Sequence, residues 1–533
     1  MSVTTSSTPA GHVAVCAFPF TSHPLALCSL VCRLAEEAPQ LHFSFLCTSR
    51  ANSKISTKTT ILPTNIKISD IEDGLPEGFE PEDLAQEASN FYKQFPENFK
   101  RGVDAAVEET GGKRVTSLIV DGLFSFDLGN MAEEMNVPWV AFTVPAPYDL
   151  AAWLQKDLIQ QLYANAQMDH DHPEDQLIDI VPGLPPSPFK DFPHELLERN
   201  PSNQLLAQVL LSMIRKIQEA SAVVMNSYEE LNPLLLTNYL KSKFLNIFYV
   251  SSVTPSKLAS GTDATRCLSW LDEQKSASVA YISFGTTAPL NGEEVKALAE
   301  ALEEGGVPFL WSINDKFKEY LPDGFTERIG TRGKLVPWAP QRQVLEHPSI
   351  GVHVTHGGYN AVLESIMGGV PMICRSEWAD NHLNAKMVEE VWGIGVRVEN
   401  RLITKTGMLK CLEMILHQEE GKVRQASTAL KQVFEKAAGP DGVAANHVKT
   451  LLHIISEERC PSYKLEVVYQ MHAPLVIRTP NYKWQYSALQ QTDCNPAPAH
   501  IRSLVFLVEN HLQAIENHLH AVLQNFHLLF SHA

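Results

Sequence analysis

The chain has 533 residues, with 43 Lys and Arg against 61 Asp and Glu for a formal charge of −18. An acidic balance of this size argues against a general nucleic-acid binder, because backbone phosphates call for a basic surface. At 44% hydrophobic and 20% charged the composition is that of a globular protein, and the length calls for two or more domains, since one core rarely grows beyond roughly 250 to 300 residues.

The nine cysteines, at 16, 28, 32, 47, 267, 374, 411, 460 and 494, are odd in number, lie mostly in apolar segments and form no CxxC pair. They read as reduced core thiols rather than metal ligands. The opening MSVTTSSTPAG lacks a basic and an apolar region of the secretory kind. No uncharged apolar run approaches the roughly 20 residues that span a bilayer. The expectation is a cytoplasmic protein without a transmembrane segment.

From residue 11 short β-branched or aromatic runs alternate with longer helical patterns, the sign of parallel α/β architecture. VAVCAF (13–18) reads as a buried strand, PFTSHP as a turn and LALCSLVCRLAEEA (25–38) as a helix. HFSFLCT (42–48), SLIVDG (117–122), VPWVAFTV (137–144), AVVMNS (222–227) and NIFYVSS (246–252) read as further strands, with NFYKQFPENFKRGVDAAVEE mostly helical. MDHDHPEDQ (168–176) and the proline-rich VPGLPPSPFKDFP after it read as a loop whose composition opposes packing.

SSVTPSKLASGTDAT (251–265) has the small polar composition of a linker. Beyond it a second α/β series begins: SVAYISFGT (278–286) as strand and turn, NGEEVKALAEALEEG as helix, PFLWSIND as strand, GVHVTH (351–356) as strand. This predicts two similar-sized domains, 1–250 and 266–458, with a ligand cleft between them at the carboxyl ends of the strands. The segment 459–533 loses the alternation. Among its His511, His518, His520 and His527 the spacings of seven line histidines up on one helix face but set them about two turns apart, too far to share one ion, so it reads as an extension without a metal site.

The most informative stretch is WAPQRQVLEHPSIGVHVTHGGYNAVLESIMGGVPMICRSEWADN, from Trp338 to Asn381. Strand, HGG turn and helix in succession aim the helix's first N–H groups at a crevice where an anion sits. Gly357 and Gly358 let a ligand approach the backbone, and His356 and Asn360 add side-chain donors for a diphosphate. Glu364, one turn beyond Asn360, can accept from ribose hydroxyls. Trp338 offers a ring for a base to stack on, and Asp380 and Asn381 offer polar groups for sugar hydroxyls. Together these parts describe a nucleotide-sugar site.

This stretch resembles the plant secondary-product signature of the family 1 UDP-dependent glycosyltransferases: W-A-P-Q, H-C-G-W-N-S, E, G-V-P and D-Q in order. The likeness runs from about residue 11 to about residue 457 and is nearest the flavonoid 3-O-glucosyltransferase branch, through HVAVCAFPFTSH, VAYISFGTT, VPFLWSI, LPDGF and LVPWAPQ. The resemblance implies a GT-B fold, two Rossmann-like domains facing across a cleft, with the acceptor bound mainly by the first and the UDP-sugar by the second. It implies a last helix, about 443–458, that packs back on the first domain. It also implies that Trp338 stacks on uracil, that the Ala339 backbone meets the base edge, and that Gln341 and Glu364 hold the ribose. His356, Gly358, Asn360, the Ala361 backbone and the Ser283, Gly285, Thr286 turn would bind the diphosphate, and Asp380 and Asn381 the sugar, with Tyr359 close by. UDP-sugar is then a co-substrate, and neither cofactor nor metal is expected.

For chemistry, His23 sits in the turn after the first strand and Asp121 ends the strand SLIVD, both where a crevice opens. A carboxylate on Nδ1–H orients an imidazole as general base for an acceptor hydroxyl, and the family carries this pair in the same places. In-line attack on an α-linked UDP-sugar then gives a β-glycoside. The family's Cys, Trp, Ser and final Gln are here Gly357, Tyr359, Ala361 and Asn381, and its Trp-Thr near the sugar is Thr143 and Val144. Glucose is the first expectation, with galactose or a pentose open.

Phe18, Phe20, Phe124, Pro145 and Tyr148 are the candidate walls for a flat aromatic acceptor. The expected protein is a monomer that transfers a hexose to a flavonoid or related phenolic. Ring-carbon glycosylation, a non-flavonoid acceptor, or an inactive UDP-sugar or flavonoid binder disabled by the four departures remain as alternatives.

Overall fold

The computed structural model describes residues 11–58, 62–75, 84–169, 171–198, 205–254, 263, 265–285, 290–377, 379–418 and 420–456. The expected extension 459–533, with its four histidines, lies outside the described residues.

Seven strands build the first sheet: β1 Gly11–Cys16, β2 Leu41–Thr48, β3 Ile66–Ile71, β4 Ser117–Asp121, β5 Trp139–Thr143, β6 Ala222–Met225 and β7 Ile247–Tyr249. They run parallel in the order β3-β2-β1-β4-β5-β6-β7. Strand periodicity sorts β1 between two cores. Ala14 and Cys16 join a core with Phe91, Phe99, Trp139 and Trp153, while Val13 and Val15 join Leu27, Phe43 and Phe45 on the other face. Both faces are covered, so the strands read as continuous apolar runs.

The second sheet is β8 Val279–Ser283, β9 Phe309–Ser312, β10 Gly333–Val336, β11 Ile350–Thr355, β12 Met372–Cys374 and β13 Gly395–Arg397, in the order β10-β9-β8-β11-β12-β13. The helix Gly292–Gly305 starts on a capping box, Asn291 with Glu294, and stops at Gly306 in the left-handed region (φ 64). Both signals are local, which is why this helix is visible in the sequence. The final described helix, Val443–Ser456, places Val448, Leu451 and Ile455 in the first sheet's core.

The sequence reading missed four strands. β3 carries Lys67, Ser69 and Asp70 at a sheet edge, and β10, β12 and β13 have three or four residues each, too few for a period to show. The stretch read as an unpacked loop also needs correction. Leu177–Ile178 pairs antiparallel with Ser187–Pro188, and Val181, Leu184, Phe189 and Phe192 are buried. Proline density limits backbone hydrogen bonding, but it does not stop apolar side chains between prolines from being covered. Asp191 of this stretch is clamped by Arg397 Nη1 at 3.2 Å and Arg401 Nη2 at 2.8 Å. At the expected linker, Ser251 and Val253 are buried, and residues 255–262 and 264 lie outside the described set. Among the described residues no helix is long and apolar enough to cross a membrane.

Candidate active site

In an open parallel sheet a ligand crevice opens where successive connections leave in opposite directions. In the first sheet that point lies between β1 and β4. Past β1, Thr21 takes a left-handed conformation (φ 55) that turns the chain so that His23 opens the helix His23–Glu37. Asp121 is the last residue of β4. His23 Nδ1 lies 2.7 Å from Asp121 Oδ2, and Asp121 Oδ1 accepts the Leu123 N–H at 3.1 Å. The carboxylate therefore caps the turn Gly122–Phe124 and orients the imidazole at once. Asp121 is 1% exposed and His23 12%, so the acid is sealed while the ring keeps an open edge.

The second sheet switches between β8 and β11. β8 ends at Ser283, half-buried, followed by Gly285 at φ 66; β11 leads into His356, Gly357 at φ 82, Gly358 and the helix Tyr359–Gly368. The His356 ring is wedged between these turns. A Cβ on Gly358 would fall 2.5 Å from its Nε2, and one on Gly285 2.9 Å from its Cε1. Burial pushes the His356 imidazole down to about 4, so the ring is neutral near pH 7. Its Nδ1 is buried with no partner among the described residues. With the N–H groups of Tyr359, Asn360 and Ala361, which precede any i−4 carbonyl, the ring lines an anion subsite.

One turn along, Glu364 Oε2 accepts from Gln341 Nε2 at 2.7 Å, and Tyr281 Oη donates to Gln341 Oε1 at 3.2 Å. This sets a carboxylate beside an amide, a pairing suited to a diol. Trp338 is 54% exposed, whereas Ala339 beside it is buried.

Side chains join the two switch points directly. Asn360 Nδ2 donates to Ser22 Oγ at 2.7 Å, and Asn226 Nδ2 donates to Asn360 Oδ1 at 2.7 Å. Asn226 Oδ1 accepts the Ser252 N–H at 2.7 Å. Asp380 precedes the helix Asn381–Lys386, and its Oδ2 accepts from Asn384 Nδ2 at 3.1 Å. Burial raises the Asp380 carboxyl, while the Asn384 hydrogen bond and the field of His23 across the cleft act to lower it. His23, Asp121, Asn360 and Asp380 thus share one cleft.

Several sequence-predicted residues lie elsewhere. Tyr148 and Phe124 have no exposed surface and Phe20 is buried, so they stand behind the cleft wall. Phe124 stacks on Phe95 at 4.5 Å and meets Phe99 edge-on at 5.2 Å in an aromatic core; both geometries hold these rings inside. Of that set Phe18 and Pro145 are half-buried, with the Phe18 ring edge-on to His23 at 5.0 Å. Tyr359 is buried too, its hydroxyl 2.8 Å from Ser227 Oγ, and so anchors the helix. Asn381 is buried at the start of its helix. Thr286 lies outside the described residues.

Sequence reasoning missed Asn226, Asn384, Tyr92 and Asp149. The Tyr92 hydroxyl is buried with no partner among the described residues, and its ring packs against Phe18. Burial and the nearby Asp380 charge raise the Asp149 carboxyl well above the usual range. Asn226 directly follows β6, and Tyr92, Asp149 and Asn384 lie in three separate helices, so no shared spacing in the sequence marks these four.

Two parallel-sheet domains with a histidine–carboxylate pair on one and an anion, diol and ring subsite on the other define a GT-B enzyme that uses a nucleotide sugar. A family model described as UDP-glucoronosyl and UDP-glucosyl transferase matches residues 191–429. The chain is 42% identical over 461 residues to an anthocyanidin 3-O-glucosyltransferase of Fragaria ananassa, covering 83% of this chain and 97% of that one. It is 40% identical over 456 residues to an anthocyanidin 3-O-galactosyltransferase of Rhododendron delavayi, covering 84% and 97%. A solved UDP-glucose:anthocyanidin 3-O-glucosyltransferase in complex with UDP superposes with a TM-score of 0.79 at 39% identity, covering 84% of this chain and all of that one. The chain belongs to the UDP-glucoronosyl and UDP-glucosyl transferase family.

Proposed function

We propose that the enzyme transfers a hexose, glucose first, from a UDP-sugar to a hydroxyl of a flavonoid with inversion at the anomeric carbon. The observation that carries this reading is the His23–Asp121 pair, fixed at 2.7 Å at the sheet's switch point. The acceptor hydroxyl gives its proton to His23 Nε2 as its oxygen bonds to the anomeric carbon. The bond from that carbon to the diphosphate breaks on the opposite face, and the buried Asp121 carboxylate stabilises the imidazolium. Charge building on the diphosphate meets the N–H groups at the start of the helix Tyr359–Gly368, with His356 and Asn360.

Trp338 holds the uracil, Gln341 and Glu364 the ribose, and Asp380 the sugar. Phe18 and Pro145 face the acceptor. A phenol suits this base, since its pKa near 10 eases proton loss. On this reading the enzyme acts as a cytoplasmic monomer and needs no metal, so added chelator leaves turnover unchanged.

The test is incubation of the purified protein with UDP-glucose or UDP-galactose and a flavonol and anthocyanidin panel, with mass spectrometry and NMR of the products. A β-O-glycoside is expected. UDP-sugar binding with no glycoside from any acceptor would overturn the reading in favour of an inactive binder.

A further inference from the structure

We propose that Tyr148 is a positioning residue for the donor sugar, acting through Asn384 on the Asp380 carboxylate. The proposal rests on the reading of Asp380 as a sugar ligand given above. Tyr148 belongs to the first half of the chain, in the helix Pro147–Leu154 beyond β5. Asn384 belongs to the second half, in the helix Asn381–Lys386 beyond β12. Their side chains meet in the interior, where Tyr148 Oη donates to Asn384 Oδ1 at 2.7 Å. The other end of the Asn384 amide donates to Asp380 Oδ2 at 3.1 Å and to the Gly357 carbonyl at 2.8 Å.

An amide has one accepting and one donating end, and the sense in which it sits is set by its partners. Asp380 Oδ2 and the Gly357 carbonyl are acceptors, so Asn384 must turn its NH2 toward them and its oxygen toward Tyr148. Burial raises the Tyr148 phenol well above its ordinary range, so the hydroxyl stays a donor. It is the group that satisfies the buried Asn384 oxygen.

Two consequences follow from this arrangement. Asp380 Oδ2 is tied by Asn384, and the Gly357 carbonyl, next to the anion subsite, is tied by the same amide. The lobes must also meet for the Tyr148–Asn384 bond to exist, so sugar grip depends on lobe closure. Tyr148 itself has no exposed surface and does not touch the substrate.

The experiment is Tyr148→Phe in the full chain, with Asp380→Asn as reference. Phenylalanine keeps the ring and its edge-on packing against Tyr359 at 6.3 Å, and thermal unfolding checks the fold. The Asn384 oxygen is left buried and unpaired, so the amide keeps its sense but loses one of the three hydrogen bonds that hold it in place against Asp380 and Gly357. KM for UDP-glucose is expected to rise about tenfold, from the cost of one unmade buried hydrogen bond, with a smaller change in kcat. The kcat/KM ratio of UDP-glucose to UDP-galactose should shift, while Kd for UDP, which lacks the sugar, should change much less than KM for UDP-glucose.

Should Tyr148→Phe not fold, Asn384→Leu, close in size and without either hydrogen-bonding end or a new charge, is expected to raise KM for UDP-glucose by more than it weakens UDP. Equal weakening of UDP and UDP-glucose would overturn the proposal, since a merely structural role predicts that pattern. So would parent KM and sugar selectivity in a folded variant when Asp380→Asn impairs UDP-glucose use. An Asp380→Asn enzyme with parent UDP-glucose kinetics would instead remove the sugar-ligand reading, and this proposal with it.

Discussion

Asp121→Asn isolates what the buried carboxylate does for His23, because both of its oxygens are engaged as acceptors. Oδ2 takes His23 Nδ1 at 2.7 Å and Oδ1 takes the Leu123 N–H at 3.1 Å. Asparagine has one accepting end. With its oxygen kept on Leu123, its NH2 faces His23 Nδ1, which then must accept, and the proton moves to Nε2, where a base needs a lone pair. With its oxygen turned to His23, its NH2 meets the Leu123 N–H, donor against donor. A charge-assisted hydrogen bond contributes about 1.5 to 3 kcal/mol, which is roughly 10- to 150-fold in rate, and the wrong tautomer deepens this to on the order of 10³-fold.

The fold should survive, since Asn is as good an N-cap as Asp. Initial rates of glycoside formation at saturating UDP-glucose, with circular dichroism as the fold check, measure the effect. His23→Ala should lower turnover at least as far as Asp121→Asn, by on the order of 10³-fold or more, and the double variant should be little slower than His23→Ala, as groups acting as a unit are not additive. Turnover within about threefold of the parent in folded Asp121→Asn would remove the pair from the chemistry.

Trp338→Ala should raise KM for UDP-glucose with little effect on melting temperature, since the ring is 54% exposed, by the roughly 1 to 3 kcal/mol of a base–aromatic contact; parent KM would free Trp338 from the base. Gly358→Ala would set a Cβ 2.5 Å from His356 Nε2, so UDP affinity by calorimetry should fall, and parent affinity would show that the ring is not held there for the diphosphate. Burial lowers His353 to about 3, and His356 and His382 to about 4, from 6.5. The unfolded chain binds more protons in that window, so their stabilisation is full above pH 6.5 and lost as pH falls toward 4, on the order of 1 kcal/mol per histidine per pH unit. Melting temperatures across pH 7 to 4.5 should fall less steeply in His353→Gln, and an unchanged slope would count against this origin.

The donor half of the site was legible because its parts are local: strand, HGG turn, helix start and Glu364 one turn on lie within a single stretch. His23 and Asp121 are 98 positions apart in sequence, yet both were found, since each ends or follows a strand at a switch point and topology alone brings such ends together. Tyr148 was misread for the opposite reason. An aromatic residue beside a cleft looks like a wall, and only a partner 236 positions away shows that its hydroxyl points into the interior. Phe20 and Phe124 failed similarly, because aromatic side chains near a cleft are drawn into a core by the same apolar character that would have served an acceptor.

The same geometry bears on the four departures from the family pattern, which the sequence alone left able to disable transfer. Gly357 stands at φ 82, where a side chain of any L-residue is strained; a glycine there relaxes the turn rather than damaging it. Tyr359 uses its hydroxyl, which tryptophan lacks, to bond Ser227 at 2.8 Å across the lobes, so this change adds a link between the halves that must close. Ala361 sits in the first turn of its helix, where its free N–H serves an anion with or without a hydroxyl beside it. That leaves Asn381, buried in the same short helix as Asn384 and directly after Asp380, as the departure nearest the proposed sugar ligand. Departures at the phosphate end are structurally absorbed, while Asn381 lies beside the proposed sugar ligand Asp380, so this chain should depart from the family pattern in donor choice before it departs in the ability to transfer.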